Sequence, residues 1–256
     1  MTEGTTRTHL VIPDPHAKPG VNNRRFDWLG KFIADTKPTT VVCLGDMADM
    51  ESLSTYDKGK RGYEGRRYKR DVAATIEALE RISRHLPKKR PRMVMLEGNH
   101  EYRITRAIEE QAILDGTIGF DDLQYAEHGW EVTRYRGKTP GVHVIDGIAY
   151  AHYHVSGVMG KPISGEHPAY SMLAKRHMSC VAGHLHTWDA CERNLADGRR
   201  IKALVAGCYM DPDQEESYAG NANAMWRRGV AVLEDVKDGD YDERWISIGR
   251  LRKAYK

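Results

Sequence analysis

The chain of 256 residues is notable first for what it lacks. No apolar run approaches the roughly 18–20 residues that a membrane-spanning helix needs, so a membrane partner is not expected. The opening MTEGTTRTHL has no apolar signal-peptide core, which makes the cytoplasm the expected compartment. The only cysteines are Cys43, Cys180, Cys191 and Cys208, and none are spaced CxxC. That excludes a zinc ribbon or a disulfide framework and favours buried free thiols in a reducing compartment. Excess charge is also missing: the formal net charge is +3, too small to argue for nucleic acid unless the basic residues cluster locally. No repeat, low-complexity segment or long linker interrupts the chain, so a single domain over 1–256 is expected.

What is present is an ordinary globular composition, 40% hydrophobic and 29% charged, with a change of pattern midway. In the first half, His9–Asp14, Thr40–Asp46 and Arg92–Gly98 read as short buried strands. Helical spacing follows each of them. Phe26, Leu29 and Ile33 share one face over 22–35, Val72, Ile76, Leu79 and Ile82 another over 66–85, and a third helix is read over Tyr102–Leu114. This βαβαβ pattern implies a parallel sheet covered by helices. The second half is mostly short strands, at Glu131–Tyr135, Val142–Ile145, Ile148–His152, Met178–Ala182, Trp188–Arg193, Ile201–Ala206, Val230–Leu233 and Arg244–Ile248. Turn signals such as Asp146-Gly147 and Asp197-Gly198 separate them, and one helix around Pro168–His177 interrupts them. The fold class predicted is α/β of mixed type: two packed mixed sheets flanked by helices, an αββα sandwich. The basic end from Arg250 to Lys256 reads as a solubilising tail.

Each strand of the first half runs into polar residues: Asp14-Pro-His16, Gly45-Asp46-Met-Ala-Asp49 and Gly98-Asn99-His100-Glu101. In the second half, one strand ends at His152 and another at Gly183-His184-Leu-His186. Ligand sites of parallel α/β sheets lie at the carboxyl ends of strands, so five such ends converge on one crevice. Carboxylate, imidazole and amide oxygen without thiolate suit borderline divalent ions such as manganese, iron or zinc. The spacings Asp-x-His and His-x-His are expected to aim both side chains of each pair into the crevice from extended backbone. The glycines at 45, 98 and 183 are expected to let the chain turn sharply there.

Taken together and in order, these blocks resemble the calcineurin-like metallophosphoesterases over about Asp14 to His186. The resemblance implies a two-metal centre. Asp14, His16 and His186 would hold one ion, Asn99, His152 and His184 the other, and Asp46 would bridge them. The cofactors implied are two divalent ions, manganese foremost, with iron, zinc, nickel and cobalt as alternatives. It further implies a metal-bridging hydroxide as nucleophile, with His100 assisting the leaving oxygen and Asp49 orienting His100. His154 competes with His152 for the ligand position and is otherwise a substrate contact.

The substrate expected is a phosphodiester of a nucleotide, a cyclic nucleotide or short nucleic acid. Phosphoprotein phosphatases of the family carry an arginine directly after the second Asp of Gly-Asp-x-x-Asp, and here Met50 takes that place. Two divalent ions against Asp14, Asp46 and a hydroxide leave about one net positive charge, which a singly charged diester fits without that arginine. Glu101 after His100 is a feature those phosphatases share, so a monoesterase acting on phosphoserine, phosphothreonine or metabolites is the alternative, with a DNA exonuclease or endonuclease beside it. The basic, Tyr-interleaved stretch from Lys58 to Arg70, including Arg66 and Arg67, is expected at the rim of the crevice as an anion-guiding lip. His167, in a loop, is a further candidate substrate contact.

Overall fold

A computed structural model describes residues 6–56, 58–213 and 219–256. Strands β1 (Arg7–Ile12), β2 (Thr40–Cys43), β3 (Arg92–Leu96) and β4 (Glu131–Thr133) lie parallel, joined by α1 (Arg24–Thr36), α2 (Tyr68–Ser83) and α3 (Tyr102–Glu110). Two late strands, β12 (Gly229–Lys237) and β13 (Asp240–Ser247), add antiparallel to the free side of β1. The first sheet thus has six strands in the order β13-β12-β1-β2-β3-β4. The second sheet uses β5 (His143–Ile145), β6 (Ile148–Ala151), β9 (Ser179–Ala182), β10 (Trp188–Asn194) and β11 (Arg200–Ala206). Their order is β10-β11-β9-β6-β5, parallel in the middle and antiparallel at both edges. A small ribbon, β7 (Val155–Ser156) with β8 (Lys161–Pro162), precedes α4 (Pro168–Arg176).

Side-chain alternation explains the layering. Along β1, Leu10 and Ile12 join Phe26, Leu29 and Ile33 of α1 and Leu79 and Ile82 of α2 on the outer face. Val11 points the other way, where it meets Val42, Val94, Tyr150, Val181 and Leu204 between the two sheets. On the far side, Ala149, Cys180 and Ala203 pack under Met172 and Leu173 of α4. Every central strand is therefore apolar on both faces, as a sheet covered twice requires. The architecture is the predicted αββα sandwich.

Three expectations are corrected. The strands end two or more residues before the polar clusters, β1 at Ile12, β2 at Cys43 and β3 at Leu96. The helix read over Tyr102–Leu114 breaks at Gln111, where φ is −140°, and resumes only as a single 3₁₀ turn. The supposed solubilising tail is α5 (Ile248–Tyr255), capped by the Ser247 hydroxyl, which accepts from the Arg250 amide. Its Ile248 and Leu251 are buried in the outer core, worth about 1.5–3 kcal/mol each. Lys31 of α1 donates to the Tyr255 carbonyl at 3.1 Å, and the Tyr255 hydroxyl to Asp35 at 2.8 Å. Among the described residues, no helix is long and apolar enough to cross a membrane. The four cysteines are free thiols, three of them buried.

Candidate metal centre

The polar clusters do meet at one end of both sheets, by a route the spacing did not reveal. Asp14 and His16 are not alternating residues of an extended segment: both take left-handed backbone, with φ of 39° and 46°. Asp46 (φ 51°), His184 (φ 68°) and His186 (φ 59°) do the same. Such conformations cost on the order of 1–3 kcal/mol each for residues other than glycine and persist only where the surroundings impose them.

The surroundings that impose them are visible. Buried Arg25 of α1 reaches under the first turn, and its Nη2 donates to the carbonyls of Pro15 at 2.8 Å and His16 at 3.2 Å. The Tyr209 amide donates to the Pro13 carbonyl at 2.6 Å, and the Tyr209 hydroxyl returns to the Arg25 carbonyl at 2.6 Å. Burial lowers Arg25 to about 10, so it stays charged at neutral pH. The second turn is held by Glu101. One carboxylate oxygen accepts from the amides of Asp46 (3.0 Å) and Gly98 (2.9 Å), the other from the Ala48 amide (2.9 Å) and the Tyr125 hydroxyl (2.9 Å). Burial and the neighbouring Asp46 carboxylate push Glu101 up to about 7, against the backbone donors. Of the three glycines, Gly45 supplies the expected left-handed turn. Gly98 and Gly183 serve a different need: a Cβ at either position would collide with the carboxylate of Asp46 or Asp14.

The result is a dense set of electron-pair donors. Asp46 Oδ2 lies 3.4 Å from His152 Nε2 and 3.6 Å from His16 Nε2. Asp14 Oδ1 lies 3.7 Å from His186 Nε2. Asn99 Oδ1 stands 2.8 Å from His152 Nε2. Among the described residues three triads have ligating atoms within 4.8 Å of one another: Asp14–His16–His186, Asp46–His152–His184, and His16–Asp46–His100 between them. The first two correspond to the halves expected from the sequence, with the Asn99 amide oxygen beside the second; the third adds His100, which the sequence reading treats as no ligand.

Does this set fit a pair of cations? His152 Nδ1 lies 2.9 Å from the Leu44 carbonyl, which can only accept, so Nδ1 carries the proton. Its Nε2 then faces the oxygens of Asp46 and Asn99. His16 Nε2 is buried with no hydrogen-bond partner among the described residues, although it too looks at Asp46. Lone pairs converging on carboxylate oxygens repel unless a cation lies between them. Burial, with the neighbouring His152, lowers His184 to about 4, and burial with His100 lowers His16, so both present neutral, ligating imidazoles at pH 7. Burial pushes Asp46 up, but the His152, His100 and His16 imidazoles more than reverse it and keep the carboxyl below its usual range. The donor set fits two divalent ions.

Beside it, His100 Nδ1 meets the Asp49 carboxylate at 2.8 Å and the Asp49 carbonyl at 2.7 Å, and both can only accept. Burial opposes protonation of His100, but Asp46 and Asp49 outweigh it, with Arg103 opposing, and hold it above the usual imidazole value. Asp49 also touches His16 Nδ1 at 3.5 Å and the Lys18 ammonium at 3.5 Å. Burial raises Asp49, yet its bonds to His100 and His16 leave it well below the ordinary range.

Met50 is a buried core residue, but a different arginine reaches the site. Arg103 of α3 places Nη2 3.1 Å from His100 Nε2 and anchors Nη1 on the carbonyls of Asp49 (2.9 Å) and Met50 (3.3 Å). Arg103 is one helical turn beyond His100, a spacing that places both on the same face.

The other candidates lie further off. His154 is buried, and it lines a cavity with Arg136 and Arg176 rather than the one beside Asn99 and His184; both it and His152 lie beyond the end of β6. Burial and Arg176 lower it to about 4. His167 is exposed just before α4 and makes no capping bond there. Arg66 turns to Glu51, with Nη1 3.2 Å from its carbonyl, and lies over the Tyr63 ring. Arg67 is exposed and bonds the Arg66 carbonyl at 2.8 Å. Of the region leading into the basic stretch, Tyr56 lines the cavity that opens beside Asn99 and His184. Arg25 and Glu101 escaped the sequence reading of roles. Arg25 gives no signal in an amphipathic helix, and Glu101 could have been suspected only from its place directly after Asn99-His100.

No protein-family model matches the chain. The gene 54 protein of Mycobacterium phage L5 is 26% identical over 211 residues, 79% of each chain. Among solved structures, TT1561 of Thermus thermophilus aligns with a TM-score of 0.44 at 10% identity, covering 94% of this chain and 99% of its own. YfcE, a phosphoesterase from E. coli, aligns at 0.41 with 14% identity over 94% and 99%. Scores this low leave the chemistry to be judged from the chain's own residues.

Proposed function

We propose that the chain is a calcineurin-like metallophosphoesterase: a binuclear phosphoric ester hydrolase that prefers diesters of nucleotides or short nucleic acid and uses manganese first among divalent ions. The observation that carries this is Asp46, whose Oδ2 is faced by Nε2 of His152 at 3.4 Å and Nε2 of His16 at 3.6 Å, from two different strand ends. Asp14, His16 and His186 would hold one ion, Asn99, His152 and His184 the other, with Asp46 shared. When bound, the ions would supply Lewis acidity at the phosphoryl oxygens and lower the pKa of water.

The chain's own residues do the rest. Asp49 fixes His100 with its Nδ1 proton turned inward, so that Nε2 faces the crevice. Once Arg103 turns from Nε2 to a phosphoryl oxygen, Nε2 can carry a proton and pass it to the departing ester oxygen as its bond to phosphorus breaks. Arg103, already beside Nε2, binds a phosphoryl oxygen and orients the ester. The left-handed turns keep the ligands apart from solvent and in place before any substrate arrives, which is how a site avoids reorganising during reaction.

A cavity of about 540 Å³ opens beside Asn99 and His184 and gives a second ester substituent somewhere to go. This supports a diester. Arg103 and Lys18 favour the second reading, a doubly charged monoester, because they add the cations that the sequence argument found missing. Turnover of bis-p-nitrophenyl phosphate against p-nitrophenyl phosphate, across manganese, nickel, cobalt, zinc and magnesium, decides between them. We expect kcat/KM to be at least about tenfold higher for the diester, and a reversed ratio makes the enzyme a monoesterase. His100→Ala should lower kcat by about 10²–10⁴ and retain both metals. An Asp46→Asn variant with full metal content and activity would refute the metal assignment.

A further inference from the structure

The cavity beside the metal centre has walls that a bare phosphate does not need. Tyr102 and Tyr135 stack almost parallel, with ring centroids 4.3 Å apart and planes at 12°. The Tyr135 hydroxyl reaches the Tyr153 hydroxyl at 3.4 Å, and the Tyr153 ring lies 4.8 Å from that of His184. A continuous aromatic wall therefore runs from the expected metal ligand His184 outward, with exposed Tyr56 also lining the cavity. Three cations share the lining: Arg103, Arg106 and Lys138. Arg106 is loosely paired with Glu110 at 3.8 Å, and Glu109 and Glu110 place negative charge at one part of the rim. The elements supplying these residues are separate in sequence: α3, the segment after β4 and the segment after β6.

Aromatic rings interleaved with arginine and lysine along one concave wall are what nucleobases on a phosphodiester backbone require, since every base has a face to stack and every link carries one charge. An aliphatic ester or a phosphorylated side chain would leave the stacked pair unused, and a single phosphate held by Arg103 would leave Arg106 and Lys138 without a role. The volume falls in the range of roughly 300–1,000 Å³ typical of small-ligand sites. From this juxtaposition we infer that the Tyr102–Tyr135–Tyr153 wall is a nucleobase subsite, and that the substrate is a nucleoside-bearing phosphodiester whose phosphorus sits at the metal centre while its base stacks on the wall. The inference rests on the hydrolase reading for the reaction and on the cavity alone for binding.

Two measurements separate those supports. The first compares thymidine 5′-(p-nitrophenyl phosphate) with methyl p-nitrophenyl phosphate, which share a leaving group and differ in the nucleoside. The wild-type protein should prefer the nucleoside ester by at least about tenfold in kcat/KM. Tyr135→Ala or Tyr102→Ala should reduce turnover of that ester by roughly five- to a hundredfold, the range one stacked base supplies, and leave the methyl ester within about twofold. Equal turnover of the two esters by the wild type, or equal losses on both in the variants, overturns the subsite. The second is calorimetric titration of the metal-loaded protein with thymidine 5′-monophosphate and with inorganic phosphate. Tighter binding of the nucleotide, lost in Tyr135→Ala, supports the subsite even if neither ester is hydrolysed, a result that would sink only the hydrolase reading. Equal affinity for nucleotide and phosphate overturns it.

Discussion

Glu101→Gln tests whether one buried carboxylate organises the centre. The two side chains have nearly the same shape, so packing is preserved, but an amide offers one oxygen where the carboxylate offers two. All four partners of Glu101 are donors. With the amide oxygen turned to Asp46 and Gly98, the new NH₂ faces the Ala48 amide and the Tyr125 hydroxyl. The hydroxyl can rotate to accept; the Ala48 N–H cannot, and an orphaned buried donor costs about 1–3 kcal/mol. The reverse orientation is worse, because it orphans two amides. A loss of about 2–3 kcal/mol, at about 2–4 °C per kcal/mol for a chain of this size, lowers Tm by roughly 4–12 °C. Thermal unfolding in the presence of a chelator reads this without any contribution from metal. Glu101→Ala should fall further, since it removes every acceptor. If Glu101→Gln melts within about 1 °C of the parent, the carboxylate is not what holds the β2 and β3 turns together.

The remaining predictions concern a buried histidine away from the centre and an arginine beneath it. His154 is buried, and burial with Arg176 holds it at about 4 against an ordinary value of 6.5. Folded-state depression means its contribution is complete above 6.5 and is lost as pH falls towards 4. About 3 kcal/mol of stability should disappear over that window through this group, and His154→Gln should make the denaturation midpoint less steep with pH there, with His9 and His184 supplying the rest. Parallel pH profiles of the two proteins would refute this. Arg25→Met keeps much of the buried volume but removes the donors to Pro15 and His16. It should weaken metal binding by about 10–100-fold, as read by competition with a chromophoric chelator, and unchanged affinity would show that the turn holds itself.

Much of the architecture could be read from the chain because apolar alternation and helical spacing are local signals. Val11 against Leu10 and Ile12 already encodes a strand covered on both faces. The site residues were legible as types at strand ends, since each polar cluster interrupts an apolar run. Backbone conformation at those ends was not. Asp-x-His reads as alternation only while the strand continues, and β1 stops at Ile12, so the chain aims Asp14 and His16 by left-handed turns instead. His152 and His154 likewise both lie beyond the end of β6. An arginine directly after Asp49 would be legible in the sequence, whereas Arg103 reaches the same place from one turn after His100, which only the folded chain reveals. α5 was read as a tail because its charges dominate its composition, while only Ile248 and Leu251 face inward.

The left-handed turns also restrict which residues could ever replace the present ones. Outside glycine, that backbone region is populated mainly by Asn, Asp and His. Those are also side chains short enough, or planar enough, to present an oxygen or nitrogen close to the main chain. Two independent filters, one conformational and one chemical, therefore select the same small alphabet at positions 14, 16, 46, 184 and 186. A glutamate or cysteine would satisfy a metal ion yet be disfavoured by the backbone, and a glycine would satisfy the backbone yet bring no donor. The centre is thus closed to gradual exchange of ligands, while Tyr102, Tyr135 and Arg106, whose backbone is not left-handed, pass through no such double filter.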